Sequence, residues 1–238
     1  TYLWEGEIDH RDSVGSIQTI RPGEINWMTA GQGIVHSERT PAALRAGPHR
    51  LYGIQLWVAL PREREEMAPE FHHHSAATLP RIEQPGVSIR LLAGAAFGAS
   101  APVRVYSPLA YADVELEAGA QLVLPPEYSE RAVYLLQGAL QFDMAQVDPG
   151  PLDPSPLDPA EQATPQLLVF HPGAARVQAV GKTRLLLLAG EPLGERHMWW
   201  NFVSSSSERI ERAKRDWNEG RFPPLSADPD TKEPPPMT

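Results

Sequence analysis

A chain of 238 residues, with 42% hydrophobic and 21% charged residues and a net charge of −9, has room for one large globular domain or two small ones. It contains no cysteine, which excludes disulfides, thiolate metal sites and cysteine nucleophiles. It has no basic block that could track a phosphate backbone, no apolar run near the roughly 20 residues of a membrane span and no leader of basic-then-apolar type, so the expectation is a soluble, cytoplasmic protein with no direct nucleic-acid or membrane partner.

The 25 prolines and 18 glycines cut the chain into short apolar runs, and helical periodicity is rare, which predicts an all-β architecture. Thr1-Tyr2-Leu3-Trp4 reads as a strand that closes at a Glu5-Gly6 turn. A strand at residue 1, with no initiator Met, leads us to expect further sequence upstream. Glu7 to Asp12 is a second strand, and His10, flanked by charged residues, is expected to face solvent. Ile17 to Ile20 is a third, followed by a Pro22-Gly23 turn and an apolar strand carrying Trp27 and Met28. The apolar run Leu51 to Leu60 reads as a buried strand stopped by Pro61. Arg62 to Pro69 is a helical turn or loop, and His72-His73-His74 a surface loop. Further strands are predicted at Val87–Ala93, Val103–Ser107, Ala112–Glu117, Gln121–Leu124, Ala132–Leu136, Leu140–Asp143, Leu167–Phe170, Arg176–Val180 and Arg184–Ala189.

Between Gln146 and Pro165 lie six prolines, three of them preceded by Asp, so this segment reads as a surface insertion. One helix is predicted from a Ser205/Glu208 capping box, with Ile210, Ala213 and Trp217 on one face and Gly220 as terminator. Phe222 is expected to pack back on it, and the Pro-rich end, 223–238, to be disordered.

Two parts of the chain echo each other. Tyr2-Leu3-Trp4-Glu5-Gly6 resembles Tyr134-Leu135-Leu136-Gln137-Gly138, and Thr19-Ile20-Arg21-Pro22-Gly23 resembles Val169-Phe170-His171-Pro172-Gly173. A duplicated β-sandwich explains both echoes, and chance likeness of strand-turn pieces is the alternative.

The candidate chemistry sits in Gly23 to Glu38, where a strand and a double-glycine loop (Gly31, Gly33) lead into His36 and Glu38. Residues i and i+2 of an extended chain share a face, so this imidazole and carboxylate can converge on one metal ion. Three consecutive histidines cannot do so in an extended chain, and His49, His171 and His197 lack ligand partners at such spacing. Glu5/Glu7 and Glu115/Glu117 read as solvated strand faces. No phosphate-binding loop or hydrolase nucleophile motif is present.

Three runs resemble the pirin family of the cupin superfamily: EGEIDHRDS (Glu5 to Ser13), RPGEINWMTAGQGIVHSE (Arg21 to Glu38) and GIQLWVALP (Gly53 to Pro61). GEPLGE (Gly190 to Glu195), WWNFVSSS (Trp199 to Ser206) and DWNEGRF (Asp216 to Phe222) extend the resemblance over nearly the whole chain. It implies two jelly-roll cupin β-barrels packed face to face with a C-terminal helix: an N-terminal barrel over 1–110, a C-terminal barrel plus helix over 111–222, and a tail over 223–238. It implies one metal in the N-terminal barrel, iron (Fe2+) or another divalent transition metal, held by three histidines and one glutamate. Two of these ligands map to His36 and Glu38. The other two belong to an H-x-H-R-G segment whose place lies just before Thr1, so a metal-free chain is the rival reading. The second barrel has no histidine where the first has His36, and no metal is expected there. Some relatives cleave flavonols such as quercetin with dioxygen, which would make Glu38 a catalytic base as well as a ligand and a small aromatic molecule the substrate. Others are regulatory, redox-sensing partners of proteins, and the acidic charge suits a protein partner better than DNA.

Overall fold

The computed structural model describes residues 1–148 and 166–225. Most of the expected tail and most of the expected Pro-rich insertion lie outside the described residues. Contacts divide the chain into two compact units, one formed by Thr1–Ala76 with Leu193–Thr238, the other by Ala77–Pro192. Compactness thus divides the chain elsewhere than at residue 110, and it groups the C-terminal helix with the N-terminal strands.

The first unit holds strands β1 (Tyr2–Glu5), β2 (Ile8–Asp12), β3 (Ile17–Ile20), β4 (Ile25–Thr29), β5 (His36–Arg39), β6 (Tyr52–Ile54) and β7 (Glu70–His74). They form two antiparallel sheets, ordered β6-β1-β4-β7 and β3-β2-β5. The second unit holds β8 (Arg81–Gln84), β9 (Val87–Ala96), β10 (Ala99–Ser100), β11 (Leu109–Leu116), β12 (Gln121–Val123) and β13 (Glu130–Gln137). It continues through β14 (Leu140–Phe142), β15 (Val147–Asp148), β16 (Gln166–Phe170), β17 (Arg176–Ala179) and β18 (Thr183–Gly190). A large sheet, β10-β9-β11-β18-β13-β16-β15, faces a small one, β12-β17-β14, across a core of alternating inward residues. Ile89, Ala112, Val114, Val133, Leu185 and Leu187 from the first meet Leu122 and Val177 from the second, all 0% exposed.

The first unit is completed by a hairpin, β19 (His197–Trp199) and β20 (Phe202–Ser204), and by helix α1 (Ser207–Asn218). The helix starts one residue later than the capping box predicted: Ser206 is the N-cap, and its Oγ accepts the Arg209 N–H at 3.2 Å. Gly220, at φ +66°, ends it. Phe222 packs back on Trp217, ring centroids 5.6 Å apart, and stacks on Phe202 at 5.8 Å.

This C-terminal segment grips the loop that leads into β5. Arg209 donates to the Gln32 carbonyl at 2.8 Å and pairs with Glu66 at 2.6 Å, while Glu65 accepts from the Ser205 N–H and pairs with Arg196 at 2.8 Å. Phe222 lies so close to Gly33 that a Cβ there would sit 2.9 Å from its ring, at a backbone φ of +139°. Only glycine fits both demands.

The repeat is present, with one landmark displaced. Gly6 and Gly138 both have positive φ, +83° and +90°, and close corresponding strands β1 and β13. Both strands carry an irregularity at the same step, between Leu3 and Glu5 against β6 and between Leu135 and Gln137 against β18. Tyr2 pairs with Ile25 of β4, and Tyr134 with Leu167 of β16. β4 therefore corresponds to β16, and Pro22-Gly23 precedes its strand whereas Pro172-Gly173 follows its own. The likeness of those two turns is a coincidence of turn chemistry, because Pro-Gly suits any tight turn.

Three further expectations differ. Val103–Ser107 forms no strand. The run Leu51–Leu60 is extended only over Tyr52–Ile54, and Leu51, Trp57 and Val58 are 51%, 51% and 46% exposed. β6 is an edge strand of its sheet, so its apolar sequence does not secure burial. His72-His73-His74 is strand β7 rather than a loop, paired across β4 at Trp27, Asn26 and Ile25.

Candidate metal centre

β2 and β5 pair antiparallel with His10 opposite Glu38 and Asp12 opposite His36. Opposed residues share a face, and so do residues two apart, so all four side chains point to one side of this sheet. One ligand atom from each of His10, His36 and Glu38 lies within 4.8 Å of the others, the one such group of three among the described residues. The rings of His10 and His36 are 5.6 Å apart.

His10 is the anchored member. It is 1% exposed, contrary to the solvent-facing position its charged neighbours suggested, and its ring stacks on Phe71 of β7 at 4.1 Å. Its Nε2 bonds Asp12 Oδ2 at 3.0 Å. Asp12, also 1% exposed, accepts through Oδ1 from the Val14 and Ser16 backbone N–H groups at 3.0 and 2.9 Å. Burial alone would raise the Asp12 carboxyl; the hydrogen bonds from His10 and Ser16 outweigh it and hold the group below its ordinary value. With Nε2 committed to a carboxylate, the Nδ1 lone pair is turned toward Glu38, whose Oε1 is 3.8 Å away. That distance is too long for a hydrogen bond, and Nδ1 is buried without a hydrogen-bond partner.

Glu38 receives Thr1 Oγ1 on Oε1 at 3.1 Å and Gln55 Nε2 on Oε2 at 2.9 Å. Burial pushes its carboxyl up, but the imidazoles of His10 and His36 and the Thr1 contacts more than offset this and hold it at about 2. It is therefore a carboxylate at neutral pH. His36 reaches solvent, yet the packing around it draws its imidazole below the ordinary histidine value, with the Glu38 charge acting in the opposite direction.

Two imidazoles and a carboxylate, one nitrogen of them buried, unpartnered and pre-aimed, fit a divalent transition metal. His36 and Glu38 were legible in the sequence from their spacing; His10 was not. The signal that could have found it is the alternation His10-x-Asp12, a histidine with its own orienting carboxylate on one strand face. The other histidines stay apart from this group. His72 bonds Glu70 at 2.8 Å, His73 bonds Asn26 at 2.8 Å, and His49 makes a 3.2 Å contact to the Gly47 carbonyl.

Paired antiparallel sheets of this kind form a cupin barrel, and two such units in one chain a bicupin, the first of them carrying the imidazole–carboxylate group. The profile of the Pirin family matches residues 1–58, and that of the pirin C-terminal cupin domain matches residues 111–223. A pirin-like protein of Caulobacter vibrioides is 50% identical over 93% of this chain and 72% of its own length. A Pseudomonas aeruginosa protein named as a candidate quercetin 2,3-dioxygenase is 40% identical over 95% of this chain and 67% of its own. The crystal structure of a quercetin 2,3-dioxygenase from Acinetobacter baumannii superposes with a TM-score of 0.80 at 28% identity, covering 100% of this chain and 75% of that one. The chain belongs to the pirin family. Among the described residues, no helix is long and apolar enough to cross a membrane.

Proposed function

We propose that His10 Nδ1, His36 and Glu38 hold a divalent transition metal, and that the protein is a flavonol 2,3-dioxygenase of the quercetinase type. The observation that carries the metal is the buried, unpartnered His10 Nδ1, fixed by Asp12 and directed at Glu38. Two histidines and one carboxylate with coordination positions to spare are the donor set that non-haem Fe(II) takes for dioxygen chemistry, which supports iron. The two upstream histidines implied by the pirin resemblance would add to this set. When bound, the metal supplies Lewis acidity and redox capacity.

The chain's own residues supply the rest. Asp12 fixes the tautomer of His10, Gln55 and Thr1 orient the Glu38 carboxylate, and Phe71 closes one side of the imidazole. A carboxyl held at about 2 is a weak proton acceptor at neutral pH, so the arrangement favours Glu38 as a ligand over Glu38 as the base. The reaction class is supported by the relatives named for quercetin cleavage.

A second reading, a regulatory protein-binding module, is favoured by the β19–β20 hairpin, where Met198, Trp200 and Val203 are 70%, 47% and 39% exposed. The two readings part in one assay. Iron-loaded protein mixed with quercetin in air is expected to consume the flavonol absorbance band, with loss of that consumption on Glu38→Ala. Metal-loaded protein that leaves the band unchanged would rule out the dioxygenase and leave the binding module.

A further inference from the structure

The first unit also buries an amide donor with nothing to bind. Asn26 of β4 is 3% exposed, and its Nδ2 has no hydrogen-bond partner. Three contacts fix where this amide lies. Asn26 and Thr1 exchange both backbone hydrogen bonds, at 3.0 and 2.9 Å, so their side chains share a face, and Thr1 Oγ1 is the group that donates to Glu38. On the other side of β4, Asn26 is opposite His73, whose Nδ1 meets Asn26 Oδ1 at 2.8 Å. Two residues before His73, and so on the same face of β7, Phe71 stacks on His10.

The amide thus lies on the same sheet face as Thr1 and Phe71, which contact Glu38 and His10, and its orientation is set. His73 takes the carbonyl end, with the Glu24 carboxylate 3.7 Å from its Nε2, and the NH2 end is left over. Buried amide donors are rarely left unsatisfied in a finished interior, and those that are generally await a ligand or water. A donor beside a carboxylate-bearing centre selects an acceptor, since it has no lone pair to offer an incoming ammonium or hydroxyl proton.

We infer that Asn26 Nδ2 recognises an anionic oxygen of the ligand, the phenolate of a catechol or the enolate of a flavonol, while that ligand is held at His10, His36 and Glu38. Asn26 is then a specificity-determining residue, His73 the residue that positions it, and Glu24 the charge behind His73. This rests on the metal-site reading above and adds to it a residue that no ligand set requires.

The test uses the full chain loaded anaerobically with Fe(II), titrated with 4-nitrocatechol and followed by the visible band of the bound catecholate. Asn26→Leu, close in size to Asn, is expected to raise the dissociation constant about tenfold with metal content equal to the parent, the loss of one hydrogen bond to a charged acceptor. Asn26→Ala, which removes the donor without adding bulk, is expected to do the same, and Asn26→Gln to retain part of the affinity. Parental affinity in both the Leu and Ala variants at equal metal content would overturn the inference. A parent protein that takes up no metal would overturn the reading beneath it instead.

Discussion

The two barrels place different residues at the same positions, and the difference separates what the fold requires from what the site requires. Counted from Gly6 and Gly138, His10 corresponds to Phe142. Glu38 faces His10 across the β2–β5 ladder as Val177 faces Phe142 across β14–β17, and His36, two residues before Glu38, corresponds to Ala175. Val177 and Ala175 are 0% and 4% exposed and belong to the apolar core of the second unit. The same strand pairing therefore closes around methyl groups in one barrel and around an imidazole–carboxylate network in the other. Since the apolar version folds, the polar version is not a condition of folding. Its desolvation is offset by the Asp12, Gln55 and Thr1 hydrogen bonds, and the strand pairing leaves it free to serve the metal site proposed above.

The largest expected effect comes from giving the first barrel the second one's residues. The triple variant His10→Phe, His36→Ala, Glu38→Val is expected to lose metal uptake entirely and to lower the unfolding midpoint, because the buried Asp12 carboxylate keeps its Val14 and Ser16 N–H donors but loses His10. Metal content by atomic emission and a denaturant titration check the two halves. Retained stoichiometric metal would place the site elsewhere. The reverse exchange is expected to be nearly as severe in the other currency. Val177→Glu puts a carboxylate into a fully buried apolar position without the partners Glu38 has, and the expected loss is about 3–5 kcal/mol of stability. Unfolding within 1 kcal/mol or so of the parent, read by denaturant titration, would mean that the second barrel is wetter than its packing indicates.

The sequence showed the strands and the helix well, since short alternating runs between glycines and prolines leave little choice of element. It showed the site in part. His36 and Glu38 are two apart on one strand, and that spacing alone puts them on one face. His10 was hidden because its charged neighbours Asp9, Arg11 and Asp12 look like a solvated strand, whereas alternation puts only Arg11 and Asp9 outward with respect to His10 and Asp12. Its proximity to Glu38 depends on strand register, which no local pattern carries. Leu51–Leu60 failed for the opposite reason: an apolar run reports a tendency to be covered, not what covers it. In His72-His73-His74 the two-residue period splits the tract, sending His73 to Asn26 and His72 to Glu70, which residue type alone could not show.

The smallest of these effects tests the network most finely. In Asp12→Asn the side-chain carbonyl can still accept from the Val14 and Ser16 N–H groups, which leaves the amide NH2 facing His10 Nε2. An NH2 donor there requires Nε2 to be the acceptor, so the proton moves to Nδ1, the atom offered to the metal. The variant should keep its fold but hold the wrong tautomer, and metal affinity is expected to fall about 10- to 100-fold, the usual cost of removing a ligand's orienting carboxylate. A pH series separates this from simple destabilisation. The Asp12 carboxyl is held below its ordinary value in the folded chain, so its contribution to stability is present above the unfolded value of about 3.9 and is lost as pH falls through the folded one. The parent's stability advantage over Asp12→Asn should therefore be full at neutral pH and shrink below about pH 4, while the deficit in metal affinity is already present at pH 7. Equal metal affinity in the two proteins at neutral pH would show that Asp12 only supports the turn at residues 13–16 and has no part in presenting His10.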